Sequence, residues 1–126
     1  MDTSRKYVKM CLKAEEIQDM YVDVYPYNGE DGNVFALRKD HDSSGVFGHC
    51  YRKDELIWLP KQDQLQEMAF PDKSTSVRQI CEAIFGFVIS SYVLAMCSME
   101  QLWLAFVMKE NYSKIWNGEE WAVVAT

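Results

Sequence analysis

The amino-acid sequence predicts a single α+β domain over residues 1–126, with three or four helices packed on one face of a small, mostly antiparallel sheet. The length of 126 residues suits one domain, and 48% hydrophobic with 25% charged residues is typical of a folded one. Strand-like stretches cluster in the first half and helical spacing dominates the second half. This order favours α+β over alternating α/β architecture.

The first half begins with an amphipathic helix, predicted over 4–20 from the helical spacing of Tyr7, Cys11, Ala14 and Ile17. Short alternating stretches of β-branched and aromatic residues follow, separated by turn residues, and these are typical of strands. A helix is the alternative at 33–39. The predicted strands are 21–27, 33–39, 46–51 and 55–58.

The second half is predicted to contain three helices. Pro60 suits the first turn of a helix over 61–70, because its missing N–H is harmless there. Hydroxyl residues at 74–76 can cap the next helix, over 76–86. Its apolar stripe consists of Val77, Ile80, Cys81, Ile84 and Phe85.

The last helix and a hairpin end the chain. Ser98 through Gln101 fits a capping box, which predicts a helix from there to about residue 112. Asn117-Gly118 between alternating apolar residues is a strong hairpin signal and predicts strands at 114–116 and 120–124.

A charge-free run at 83–99 is close to the shortest length that can span a membrane, about 17 residues. It contains several polar residues, and no basic cluster flanks it. We therefore predict a buried core segment and no membrane contact, with a membrane helix as the alternative.

The polar N-terminal sequence predicts neither a signal peptide nor a transit peptide. The four cysteines form no CxxC pair, and disulfide frameworks belong to short secreted chains that are dense in cysteine. We expect a cytoplasmic location and reduced thiols that are mostly buried. The cysteines are Cys11, Cys50, Cys81 and Cys97.

The net charge of −6 argues against a nucleic-acid partner, because such binding needs a basic face to displace counterions. No motif for a nucleotide or another cofactor is present, so none is expected. The expected partner is another protein of unknown identity. No oligomeric state is predicted.

The loop at 40–45 is the main candidate for a metal. Its oxygen-bearing residues match the first, third and fifth positions of a calcium loop with glycine sixth, but Tyr51 stands where a bidentate Glu is needed. A transition-metal set is the other hypothesis, although solvated loop side chains explain the same residues. That set is Asp40, His41, Asp42 and His49.

No G-x-S-x-G, H-E-x-x-H or P-loop sequence occurs. Cys50 with His41, oriented by Asp40 or Asp42, is the single nucleophile and base arrangement that the residues allow. Adjacent acidic residues do not face each other on a helix or a strand, so they make no acid–base pairs. We therefore expect no catalysis.

Trp116 and Trp121 flank the predicted hairpin turn, close in sequence to Tyr112. Large aromatic side chains are over-represented at binding hot spots, so these three form a candidate partner surface. Packing of the two indoles over the last helix is the alternative.

The segments 58–68 and 98–108 resemble segments of small phage- and prophage-encoded bacterial proteins. Those proteins also end in Trp-Asn/Asp-Gly-Glu-x-Trp, which is found here at 116–121. The resemblance covers residues 55–121. It implies a bacterial or phage cytoplasmic setting and transfers no catalytic residues.

The sequence thus predicts a small acidic accessory protein of phage or prophage type that acts by protein–protein binding, without catalysis. One alternative is a small metal-dependent hydrolase that uses the loop at 40–49. Another is a structural protein that self-associates in virion assembly.

Overall fold

A computed structural model describes residues 2–24, 36–38, 56–89 and 98–124. Five helices and four short strands occupy these ranges, and the strands pair antiparallel, which confirms the predicted α+β class. The chain divides into two compact units, Thr3–Lys61 and Gln62–Thr126, and Asp2 belongs to the second. Each unit holds one described sheet of two strands, where the sequence predicted a single sheet. That the whole chain is one domain stays a prediction.

The first unit differs from the sequence prediction at its helices. The single helix predicted over 4–20 is two helices, because Ala14 leaves the helical conformation with ψ 75° and donates its N–H to the Cys11 carbonyl at 3.1 Å. The elements of this unit are α1 (Arg5–Lys13), α2 (Glu15–Val24), β1 (Ala36–Arg38) and β2 (Leu56–Trp58).

The strand predicted over 21–27 is wrong at its start, since residues 21–24 are the last turn of α2. Extending an existing helix adds one hydrogen bond per residue, and this gain exceeds the small helix-propensity penalty of β-branched residues. Residues 25–27 lie outside the described part of the chain. The strands predicted at 33–39 and 55–58 are confirmed in β1 and β2, which pair with Leu37 opposite Ile57. The strand predicted at 46–51 also lies outside the described residues.

The predicted helical stripe forms the core of the first unit. The residues of this stripe are buried, as are the last two residues of β2 and the residue that follows it. The Tyr7 hydroxyl donates to the Pro60 carbonyl at 2.6 Å. These core residues are Tyr7, Met10, Cys11, Ala14, Ile17, Ile57, Trp58 and Leu59.

The second unit follows the predicted elements within two residues. Its centre is α5, which is buried on most of its circumference and carries an aromatic cluster with Phe70 and Phe87. The elements are α3 (Gln62–Ala69), α4 (Val77–Val88), α5 (Met99–Tyr112), β3 (Lys114–Trp116) and β4 (Trp121–Val123).

Two residues interact with the N-terminus of α5: the adjoining Ser98 and Asp2, which is distant in sequence. Ser98 accepts the Gln101 N–H at 3.1 Å, as the capping-box pattern predicts. The Gln101 side chain donates from Nε2 to the Asp2 carboxylate at 2.8 Å. Asp2 therefore places a negative charge at the positive end of the α5 dipole.

The start of α4 has a complete capping box. Ser76 accepts the Gln79 N–H at 3.2 Å, and the Gln79 side chain accepts the Ser76 N–H at 2.8 Å. In the turn before α4, the backbone N–H of Ser74 and its hydroxyl both donate to the Asp72 carboxylate. These two hydrogen bonds, the backbone one most, hold the pKa of Asp72 below its usual value.

Replacement of Ser76 tests this cap. Ser76→Ala is expected to lower the free energy of unfolding by about 1 kcal/mol, because the Gln79 backbone N–H loses its acceptor. Ser76→Asp, which keeps an acceptor, is expected to stay close to wild type. Urea unfolding followed by circular dichroism measures both variants, and equal losses in the two would contradict the capping role.

Candidate functional site

Helix α4 carries apolar side chains on two sides. On the inner side Phe87 is buried and meets the Phe106 ring of α5 edge-on at 5.4 Å, while Ile80 and Ile84 are half-buried. The helical spacing predicts Val77, Cys81 and Phe85 in the same stripe. The structure instead places these three on the exposed side.

The exposed side of α4 carries a continuous row that we call the α4 ridge. Its members are spaced by four residues, so they follow one i±4n row of the helix surface. The exposed fractions are 76% for Val77, 65% for Phe85 and 71% for Ile89, and Cys81 is exposed as well. Contiguous exposed apolar surface is typical of interaction sites, whereas single exposed apolar residues are ordinary. The α4 ridge comprises Val77, Cys81, Phe85 and Ile89.

Ile89 belongs to the ridge although it caps α4. Its backbone keeps the right-handed helical conformation, and its N–H donates to the Phe85 carbonyl at 3.1 Å. Val88 lies beside the ridge and is 38% exposed. The apolar row therefore extends over the whole length of the helix.

An ion pair without net charge lies beside the α4 ridge. Arg78 donates from Nε to the Glu82 carboxylate at 2.9 Å, and both side chains are largely exposed. Exposed i,i+4 pairs add little stability, so the main effect of this one is to cancel charge beside the ridge. The next position in that row is Gly86, where a Cβ would meet nothing within 4 Å. The surface beside Phe85 is therefore open and carries no net charge.

A cavity of about 360 Å³ lies on the other side of α4. The Phe70 and Phe106 rings stack in its lining with centroids 5.7 Å apart, and Asn111 donates to the Met68 carbonyl at 3.3 Å at its edge. Its volume is at the small end of ligand pockets, which run from about 300 Å³. The lining offers two aromatic rings, one carboxyl and one amide. The lining residues are Ala69, Phe70, Ala83, Phe106, Glu110 and Asn111.

The tryptophans predicted as a partner surface lie together on the hairpin. Trp116 of β3 stands opposite Trp121 of β4, and the ring centroids are 5.1 Å apart. Trp121 is only 8% exposed, whereas Trp116 and Tyr112 are half-buried. Trp121 is therefore largely enclosed, whereas Trp116 and Tyr112 keep part of their surface open to solvent.

The hairpin turn that brings this pair together is a four-residue loop at 117–120, one residue longer than the gap between the predicted strands. Asn117 donates its N–H to the Glu120 carbonyl at 3.1 Å, and its side-chain oxygen accepts the N–H groups of Glu119 and Glu120, both at 2.9 Å. Gly118 has φ 102°, a conformation that glycine adopts without strain.

The metal and nucleophile hypotheses fall on residues outside the described part of the chain. This applies to Cys50 and to the loop residues Asp40, His41, Asp42 and His49. Among the residues that the structure does describe, no group of three or more His, Cys, Asp or Glu side chains could hold a metal ion.

Two of the four cysteines are described. Cys11 is buried, as predicted, but Cys81 is exposed on the α4 ridge. In the described ranges, no helix combines the length and the hydropathy needed to cross a lipid bilayer. The prediction of a buried core segment over the run at 83–99 is wrong for residues 83–89, of which only Phe87 is buried, because α4 packs inward on one side and leaves Phe85 and Ile89 exposed. Residues 90–97 of that run lie outside the described ranges.

Comparisons with protein-family models, with curated proteins and with solved structures found no match to this chain.

The α4 ridge is the feature of the candidate site that the sequence did not lead us to predict. A signal was present, because the apolar residues of α4 cover too wide an arc for the single buried face of a surface helix.

Proposed function

We propose that the protein acts by protein–protein binding, with the α4 ridge as its contact surface and without catalysis. The single observation that carries this proposal is the row of exposed apolar side chains along the full length of α4. A partner that covers this row would gain about 25 cal/mol of binding free energy for each Å² of apolar surface removed from water.

Charge and helix stability support the same function. The border pair of Arg78 and Glu82 is neutral, so a partner can cover the ridge without burying an unpaired charge. The capping box at Ser76 fixes the start of the helix and with it the position of Val77.

The biological setting that we propose is that of a small acidic accessory protein of phage or prophage type in a bacterial cytoplasm. Support comes from the resemblance over residues 55–121 and from the net charge of −6. The surface of Trp116, Trp121 and Tyr112 stays a prediction as a second contact region, and the metal-dependent hydrolase stays an alternative.

Site-specific photocrosslinking in bacterial cells tests the ridge. A photoreactive phenylalanine analogue in place of Phe85 is expected to give a discrete adduct with a polypeptide. The same analogue at Val123, which is exposed to a similar degree on β4, is the matched control and is expected to give none. The absence of any adduct from position 85, or equal adducts from both positions, would overturn the proposal.

A further inference from the structure

We propose that the cavity lined by α3, α4 and α5 binds a small arylalkylammonium ion, in which one aromatic ring carries a primary ammonium group on a short chain. This site is separate from the α4 ridge and goes beyond the proposed protein–protein binding. Its lining has two parts. Phe106 is buried and Phe70 is half-buried, and these two rings form the wall. Glu110 and Asn111 are exposed and form the rim.

The C-terminal ends of two helices meet at this cavity. Ala69 is the last residue of α3, and Phe70 follows it. Glu110 and Asn111 lie in the last turn of α5. The C-terminal end of a helix carries a partial negative charge, because its last carbonyl groups lack helical partners. The last turn of α3 contains no basic residue. The backbone therefore gives the cavity a negative potential, which favours a cation.

The polar side chains of the lining offer acceptors to a ligand. Asn111 donates from Nδ2 to the Met68 carbonyl at 3.3 Å, so its Oδ1 is the atom left for a ligand. In the part of the chain that the structure describes, no hydrogen bond or ion pair occupies the Glu110 carboxylate. An ammonium group supplies three donors and a positive charge, and it therefore matches these acceptors. A ligand with a carboxylate would be repelled by Glu110 and by the net charge of −6.

The aromatic wall suits the rest of such a ligand. The Phe70 and Phe106 rings stack with their planes 25° apart. The faces of aromatic rings are negative, so they attract cations and the positive edges of other rings. The same aromatic cluster already holds one cation, since Lys109 Nζ lies 5.9 Å from the centroid of the Phe87 ring. A ring that carries an ammonium group therefore matches both the wall and the rim.

The volume of the cavity limits the size of the ligand and its affinity. At about 360 Å³ the cavity is near the lower limit of ligand pockets, about 300 Å³, so it suits one ring with a short chain. Exposed ion pairs and helix ends each contribute little to binding. We therefore expect a weak complex with a dissociation constant on the order of 1 mM.

Nuclear magnetic resonance titration of the isotope-labelled full chain tests the site with three probes. Phenethylammonium is expected to shift the amide signals of Ala83 and Asn111 saturably and to leave that of Val123, on β4, unchanged. Phenylpropionate keeps the ring and reverses the charge, and ethylammonium keeps the charge and lacks the ring. Neither is expected to cause saturable shifts at the same concentrations. The absence of saturable shifts with phenethylammonium, or equal shifts with either of the other probes, would overturn the proposal.

Two substitutions separate the roles of charge and space. Glu110→Gln keeps the size of the side chain and removes its charge, so the dissociation constant for phenethylammonium should rise about fivefold. Glu120→Gln changes an exposed carboxylate of the hairpin loop and is the matched control, with no change expected. Ala83→Leu fills the cavity and should abolish binding while circular dichroism stays unchanged.

The charge variant keeps the proposal open to refutation even if Ala83→Leu fails to fold. A dissociation constant that is the same in wild type and Glu110→Gln would show that the rim does not recognise a cation. Binding that persists in a folded Ala83→Leu variant would place the ligand elsewhere and refute the site. Neither substitution lies on the α4 ridge, so both results are independent of the proposed protein–protein binding.

Discussion

Trp103→Ala is expected to lower the free energy of unfolding by about 3–5 kcal/mol, the range for deleting a large aromatic side chain from a core. Trp103 is 2% exposed and lies in the middle of α5. Its ring meets the Phe106 ring edge-on at 5.5 Å and the Phe70 ring at 6.3 Å. Truncation removes both contacts and leaves a cavity that backbone movement fills only in part.

Two matched variants make this result specific. Trp103→Phe keeps a ring in the cluster and removes an indole N–H that is buried without a hydrogen-bond partner among the described residues, so its loss should be less than half as large. Trp116→Ala removes the same side chain from a half-buried position and should cost about 1 kcal/mol. Urea unfolding followed by far-ultraviolet circular dichroism measures all three. A loss in Trp103→Ala no greater than in Trp116→Ala would show that the cluster does not hold the second unit together.

The second unit was largely predictable because its signals are local. The hydroxyl caps at Ser76 and Ser98 and the Asn117-Gly118 turn each act on backbone groups within a few residues. Such signals fix where helices and turns begin regardless of the rest of the fold.

The first unit was harder to predict because its first helix breaks at a residue that fits the helical pattern. Nothing in the spacing of apolar residues marks the break at Ala14, which continues the predicted stripe and is itself fully buried. In the second unit, the contact between Gln101 and the Asp2 carboxylate spans 99 positions, and no local pattern specifies it.

The candidate site was missed for a related reason. Helical spacing assigns residues to one side of a helix only when the apolar arc is narrow, and the arc of α4 is wide enough to supply two sides. Ile80 and Ile84 face inward and Phe85 outward because, among the described residues, α5 packs against one side of α4. The sequence of α4 alone does not contain this packing.

Gln18→Met is expected to lower the free energy of unfolding by about 3 kcal/mol and to speed amide exchange at Trp58. The Gln18 amide donates to the Trp58 carbonyl at 2.8 Å and accepts the Trp58 N–H at 2.9 Å, as a neighbouring strand would. Its Nε2 also donates to the Cys11 carbonyl at 3.1 Å. Methionine keeps the length of the side chain and removes all three bonds, and each part-buried polar group that loses a partner costs about 1–3 kcal/mol.

The exchange rate of the Trp58 amide separates this role from simple packing. Gln18→Glu keeps an acceptor for the Trp58 N–H and loses both donor bonds, so it should destabilise the unit while leaving that amide better protected than in Gln18→Met. Asp19→Ala changes the exposed neighbour on α2 and should leave both the free energy of unfolding and the exchange rate near wild type. If the Trp58 amide exchanges equally fast in wild type and Gln18→Met, the edge of β2 does not depend on the Gln18 side chain. Protection in wild type that is lost in Gln18→Met would instead identify one side chain of α2 as the hydrogen-bonding partner that joins this helix to the strand.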